Sequence, residues 1–178
     1  NGISVGDEIS RDTTIRGKLR EWQTLAVSET PIDHVLHRAN KDSMNIYAEA
    51  LCKRLGAAKT PTQPGSWQTG TAAIGAFLQS IGVAPGEFSL DDGCGLSRRN
   101  TISPNAIVRV LENEYAKPHR ATYMSSLAIA GVDGTLENRF EAIPGLRQRV
   151  IGKSGFIDGV SSLSGYCLLY TSDAADEG

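Results

Sequence analysis

Apolar residues along this chain change period twice, and each change marks a change of predicted element. Residues 1–30 alternate polar and apolar in short stretches broken by Gly2, Gly6 and Gly17, with no helical period. They predict a strand-rich connection. Thr30-Pro31 then reads as a helix start, with Thr30 as N-cap and Pro31 in the first turn. That helix is short, because Asn40-Lys41-Asp42 is a polar break. A second helix is predicted from Met44 to Leu55: Ile46, Tyr47, Ala50, Leu51 and Leu55 recur at helical spacing, Ser43 is placed to cap it and Gly56 to stop it. The Pro/Gly-rich turn 60–65 leads into a third helix, Ser66 to Ile81. Phe88-Ser89-Leu90 predicts a short strand, and Asp91 to Gly95 a tight segment. Pro104 opens a fourth helix to Tyr115, and Tyr123 to Ile129 predicts a fifth, ended at Gly131. Period two returns in Arg149 to Phe156 and Val160 to Tyr166, joined at the hairpin signal Asp158-Gly159.

Helices followed by antiparallel strands make this an α/β or, more narrowly, α+β domain, with helices packed on an antiparallel sheet. The length of 178 residues and a hydrophobic share of 40% suit one domain with a real core. No apolar run approaches the roughly 18 residues that a membrane span needs. Lys and Arg number 18 against 20 Asp and Glu, scattered along the chain, so no basic footprint for nucleic acid exists. Cys52, Cys94 and Cys167 lie far apart and His34 and His37 have no Cys near them, so no metal spacing is present. His34 and His37 read as solvated helix residues, and Cys52 as a small core residue.

Residues 167–178 break with what precedes them. From Cys167 to Asp176 they resemble a translated transposase sequencing adapter, so the tail is set aside from fold reasoning and the natural sequence is expected to stop at Tyr166, inside a strand.

Three constellations carry candidate chemistry. In Lys41-Asp42-Ser43-Met44-Asn45, Ser43 and Asn45 can both point into one cleft from a helix start. In Gly152-Lys153-Ser154-Gly155-Phe156, a strand Lys offers a fixed positive charge for a carboxylate. Ser154 adds a hydroxyl there, and Gly155 lets a ligand approach closely. Asp92-Gly93-Cys94-Gly95-Leu96-Ser97-Arg98-Arg99-Asn100 is a tight polar loop whose glycines imply unusual backbone angles. Taken singly, each has an ordinary structural reading: an N-cap, a solvated strand lysine and a turn.

Taken in order, Ser-x-Asn followed by Lys-Ser-Gly resembles the later part of the Ser-x-x-Lys, Ser-x-Asn, Lys-Thr-Gly set of penicillin-binding proteins and serine β-lactamases. The chain further resembles the DacB-type D-Ala-D-Ala carboxypeptidase/endopeptidase family in Asn40 to Glu49, Asp92 to Asn100, Ala130 to Leu136 and Lys153 to Tyr166. The resemblance covers residues 28–166. It implies a domain map of 1–27 as a connection from upstream, 28–166 as the C-terminal part of a penicillin-recognising catalytic domain, and 167–178 as the adapter-like tail.

The resemblance also implies chemistry. A serine acylated by a D-Ala-D-Ala stem peptide of peptidoglycan is later freed by water, with no cofactor or metal. Ser43 would relay a proton to the leaving amine, Asn45 would bind the substrate amide, and Lys153 and Ser154 would hold the terminal carboxylate. Gly155 would let the peptide lie along the strand, and the N–H of Phe156 would be an oxyanion donor. Partners would be stem peptides and β-lactams, and the place extracytoplasmic.

Three departures stand out. Ser154 replaces the usual Thr, Cys94 replaces the usual Ser, and no Ser in the chain has Lys three positions later. The nucleophile is therefore expected upstream of Asn1, and these 178 residues are expected to be inactive and poorly soluble alone. A serine β-lactamase shares the motif set, but the Asp92–Asn100 loop and Asp133-Gly134 favour the carboxypeptidase. A non-catalytic peptidoglycan-binding protein with a degenerate site is opposed by intact Ser43, Asn45 and Lys153.

Overall fold

A computed structural model describes residues 27–60 and 62–168. The predicted connection 1–27 and residues 169–178 of the adapter-like tail therefore lie outside the described residues, Val27 apart. The chain divides into Asn1–Thr30 and Pro31–Gly178, and all the helices and strands named here belong to the second unit.

Helix α1 spans Ile32–Asn40 and α2 spans Asn45–Lys59. The predicted cap of α1 shifts by one residue. Pro31, with ψ of 145°, takes the N-cap position instead of Thr30, and its carbonyl accepts the first helical bond from Val35. Helix α3, Trp67–Ser80, begins as predicted at Ser66, where a capping box forms. Ser66 Oγ accepts the Thr69 N–H at 3.1 Å, and the Ser66 N–H donates back to Thr69 Oγ1 at 3.0 Å. Two otherwise orphaned donors are thereby satisfied.

Gly56 is not the predicted stop of α2. The helix runs on to Lys59, and Gly56 is buried where α2 crosses α3. A Cβ on Gly56 would lie 2.3 Å from Thr69 Oγ1, and one on Gly70 would lie 2.3 Å from the Cys52 carbonyl. Both glycines are thus required by backbone-to-side-chain and backbone-to-backbone approach, not by their conformational freedom.

Strand β1, Phe88–Ser89, pairs antiparallel with β2, Thr101–Ile102, which the sequence pattern missed. Together they clasp the base of the 91–100 loop. Helix α4, Pro104–Tyr115, matches its prediction, with Ser103 Oγ accepting the Ala106 N–H at 3.0 Å. Leu78, Val83 and Ala106 form a core here, with Ile74, Ile81, Phe88, Leu90 and Val110 packed on it.

The predicted helix Tyr123–Ile129 is corrected. Helix α5 spans Arg120–Ser126, and Ala128–Ile129 forms β3 instead. The apolar run Leu127-Ala128-Ile129 suits either state locally. It becomes a strand because β4 (Val150–Ile157), more than twenty residues further along the chain, pairs with it. Strand β5, Val160–Cys167, completes an antiparallel sheet of order β3-β4-β5, joined by the predicted Asp158-Gly159 turn with Gly159 at φ of 77°. Its register runs from Ile157↔Val160 to Val150↔Cys167, so the strand takes in the first residue of the adapter-like stretch. Tyr166 Oη ties β5 to α4 through the Leu111 carbonyl at 2.8 Å. Among the described residues, no helix is long and apolar enough to cross a membrane.

Gly70→Ala is expected to lower stability by about 1–3 kcal/mol through overpacking at the α2–α3 crossing. Gly86→Ala, where a Cβ meets nothing within 4 Å, is expected to leave it unchanged. Denaturant midpoints of the two variants measure the contrast.

Candidate active site

Ser43 does not cap α2. Met44 occupies the N-cap position, and Ser43 sits just before it with φ of 54°, in the left-handed region. A non-glycine residue there costs on the order of 1–3 kcal/mol and persists only where its surroundings over-determine it. The surroundings do so from both sides. The Met44 N–H donates to the Arg38 carbonyl at 2.9 Å, and the Lys41 N–H to the His37 carbonyl at 2.9 Å. Lys41 also reaches out of its turn: its Nζ lies 2.6 Å from Asp133 Oδ2, and its carbonyl accepts the Thr135 N–H at 3.2 Å.

In that conformation the Ser43 hydroxyl accepts a hydrogen bond from Lys153 Nζ at 2.7 Å, linking the start of α2 to the middle of β4. Lys153 Nζ also donates to the Ser154 carbonyl. Burial alone pushes the Lys153 ammonium below its ordinary pKa. A desolvated cation with one hydroxyl and one carbonyl around it retains the capacity to bind an anion.

A cleft of 280 Å³ opens on this pair, lined by Ser43, Asn45, Lys153, Gly155 and Phe156 together with the 93–96 wall. Five of the six site residues predicted from sequence are thus brought together. Ser154 is the exception, since its hydroxyl turns to Thr135 Oγ1 at 2.8 Å and does not line the cleft. Asn45 is exposed, and its amide takes no protein partner among the described residues.

Main-chain direction along β4 follows from one bond. The Val150 carbonyl accepts the Ala130 N–H at 2.9 Å, on the β3 side. Alternate residues of an antiparallel strand point their N–H and C=O the same way. Ser154 and Phe156 therefore aim theirs away from β5, and β3 ends its pairing at Gly152. This leaves an open strand edge beside the cleft. Phe156 itself is 83% exposed.

Two carboxylates build the opposite wall. Asp92 Oδ1 accepts the Gly95 N–H at 2.6 Å and the Asn100 amide at 2.8 Å, while Oδ2 accepts the Ser97 N–H at 2.6 Å. Burial raises the Asp92 pKa, but these donors outweigh it and hold the net value below the ordinary one. Glu49, one turn along α2 from Asn45, accepts the N–H groups of Gly93 and Cys94 at 3.2 and 3.1 Å, and also the Trp67 indole N–H. The oxygen and sulfur atoms of Glu49, Asp92 and Cys94 lie within 4.8 Å of one another. They make a poor metal site, because N–H donors already occupy both carboxylates. The Cys94 thiol is also pushed up to about 11, by burial first and then by its contact with Glu49. Cys94 is thus a protonated wall residue.

Sequence reasoning missed Lys41, Asp133 and Glu49 as site-building residues. Lys41 is buried, with its side chain 11% exposed beside an Asp133 that is 32% exposed. Removing Asp133 would leave a largely buried ammonium without its partner, which costs more than breaking an exposed pair. The neighbouring Arg38–Asp42 pair at 2.5 Å is exposed and spaced i,i+4, which is worth only about 0.3–0.5 kcal/mol. The signal for Lys41 was a charged residue within a polar break, which looks solvated until its partner, 92 positions away, is known.

Residues 1–174 match the model of the D-Ala-D-Ala carboxypeptidase 3 (S13) family. The chain belongs to that family. It is 34% identical over 164 residues to the D-alanyl-D-alanine carboxypeptidase DacB of Haemophilus influenzae, covering 91% of this chain and 34% of that protein. It is 32% identical over 177 residues to the D-alanyl-D-alanine carboxypeptidase of an Actinomadura species, covering 93% and 31%. The crystal structure of penicillin-binding protein 4 (dacB) from H. influenzae, complexed with a β-lactam, is similar in fold with a TM-score of 0.69 and 37% identity. That match covers 77% of this chain and 32% of the other. The chain therefore spans about a third of the length of the relatives it matches. The S13 match agrees with the expected family and with the α+β fold of helices and small antiparallel sheets, and it runs beyond Tyr166.

The wall generates two expected outcomes. Cys94 is expected to alkylate slowly at about pH 8, where roughly one thiol in a thousand is ionised, and to speed up only as pH approaches about 11; mass spectrometry of iodoacetamide-treated protein reads this. Asp92→Asn is expected to be less stable than the parent at neutral pH. A depressed carboxylate pKa stabilises the fold above the ordinary Asp value of 3.8 and ceases to as pH falls through the folded-state value, so the difference should shrink in acid. Melting curves of both proteins across that range measure it.

Proposed function

We propose that this part of an S13 protein binds the C-terminal D-Ala-D-Ala of peptidoglycan stem peptides and contributes to serine-type carboxypeptidase or endopeptidase chemistry. The observation that carries the reading is the Lys153 Nζ–Ser43 Oγ contact at 2.7 Å beside an open strand edge. Lys153 offers the positive charge for the terminal carboxylate, and the Ser43 hydroxyl, within reach of it, can pass a proton to the leaving amine. Asn45, with a free amide in the cleft, binds the peptide amide. The outward N–H of Phe156 is one oxyanion donor, in an arrangement where loss of one such donor costs about 2.7–4 kcal/mol. Ser154 supports this edge through Thr135 more than it meets the ligand directly.

The relatives named as D-alanyl-D-alanine carboxypeptidases, and the β-lactam complex of one of them, support the substrate class and β-lactams as ligands. Stem peptides lie outside the cytoplasmic membrane, which favours an extracytoplasmic place. None of the 178 residues forms a Ser-x-x-Lys, so these residues alone supply binding and proton transfer but no activated nucleophile.

The chain is expected to bind a peptide ending in D-Ala-D-Ala reversibly, and to lose about tenfold to a hundredfold in affinity when that carboxylate is amidated or Lys153 is replaced by Met. Calorimetry reads this, and equal affinity for acid and amide forms sinks the reading. A fluorescent penicillin is expected to leave no covalent label on these 178 residues; a label on Ser43 would show that it serves as the nucleophile.

A further inference from the structure

Serine is a poor choice for a left-handed position. Asn and Asp reach that region by bonding to their own backbone, and Gly has no Cβ to clash. Ser43 does neither, because its hydroxyl is committed to Lys153 across the cleft. The local bonds of Met44 and Lys41 fix the turn to α1, but they do not refer it to the sheet that carries Lys153. The exposed Arg38–Asp42 pair lies on the same element and moves with it. Besides the Ser43 contact itself, two residues reach out of the element: the Asn40 amide donates to Ser126 Oγ on α5 at 2.8 Å, and Lys41 reaches the Asp133–Thr135 segment, which is tied to the sheet that carries Lys153.

Lys41 is fixed at three points. Its N–H is bound to α1, its carbonyl to the Thr135 N–H, and its ammonium to Asp133 Oδ2. Asp133 is fixed in turn: its Oδ1 accepts the Ile129 N–H at 2.8 Å, and its own N–H donates to the Ile129 carbonyl at 3.2 Å. Ile129 belongs to β3, which pairs with β4 at Ile151, two residues before Lys153. Gly134 fits beneath the Lys41 turn so closely that a Cβ there would lie 2.6 Å from the Lys41 carbonyl. The route therefore runs Ser43, Lys41, Asp133, Ile129, β4 and Lys153, and closes through the Lys153–Ser43 bond. Both ends of the cleft's central contact are referred to one sheet.

We propose that Lys41 and Asp133 form a positioning pair that holds Ser43 in its left-handed conformation and so keeps its hydroxyl on the Lys153 ammonium. The role of that contact in catalysis rests on the function proposed above, but the pair's hold on Ser43 is tested without any substrate. In isotopically labelled full chain, the Cα and Cβ chemical shifts of Ser43 report its backbone conformation. Asp133→Asn, which keeps an acceptor for the Ile129 N–H and removes the charge, is expected to move them toward extended or right-handed values. Lys41→Met should do the same, while the resonances of Leu78, Val83 and Ala106 stay in place. Lys41→Arg should restore the parent values, and Asp42→Ala, which breaks only the exposed pair, should leave them alone.

Unchanged Ser43 shifts in Asp133→Asn, or an equal change in Asp42→Ala, overturns the proposal. If Asp133→Asn and Lys41→Met lose the fold, Asp133→Glu decides. That change keeps the charge and lengthens the arm, so Ser43 should move in a folded chain, and an unmoved Ser43 overturns the pair's role. Should the Ser43 shifts respond as expected while the parent binds no D-Ala-D-Ala peptide, the functional reading fails and the positioning pair stands.

Discussion

The contact between Lys153 and Ser43 joins two parts of the chain 110 residues apart, and nearly everything else in the unit serves to bring them together. One partner stands on a strand, where β5 runs beside all of β4 and fixes its register from end to end. The other stands on a turn, and a turn has no register to hold it. The difference explains why so many hydrogen bonds converge on residues 38–44 while Lys153 needs only its strand.

Helix α2 has a second task. Asn45 and Glu49 lie one turn apart on it. Asn45 enters the cleft, and Glu49 grips the backbone of Gly93 and Cys94 on the facing wall. A single rigid element therefore sets the width of the cleft. Its own position is set by α3 through Gly56 and Gly70, where any side chain would push the helices apart. Packing at that crossing is thereby part of the geometry of the site, although none of its residues but Cys52, through Gly93, comes near the cleft.

Much of this was legible in the sequence, for reasons that are local. Pro104 announces its helix because its fixed φ suits the first helical turn, and Asp158-Gly159 announces a hairpin because the turn chemistry is its own. Ser43, Asn45 and Lys153 were legible as an ordered set of motifs, and the cleft unites them. What the sequence hid depends on distant partners. Ala128-Ile129 reads as helix until β4 offers it an edge. Gly56 reads as a helix stop until α3 lies against it. Lys41 reads as a solvated break until Asp133 neutralises it. Ser43 misled in the opposite sense, since its place before a helix suggested a cap, and its side chain is spent across the cleft instead.

Strand β3 contributes only two residues to the sheet, so β4 runs on past it as a half-finished ladder. An extended peptide laid along that ladder would become the sheet's next strand for a few residues, matched main chain to main chain. Recognition of this kind is indifferent to most side chains, because the peptide backbone offers the same groups whatever it carries. Discrimination must then come from where the guest strand stops. On the function proposed above, a short β3 and a lysine set just beyond its end would make the last carboxylate of a chain, rather than any residue within it, the feature that this edge reads.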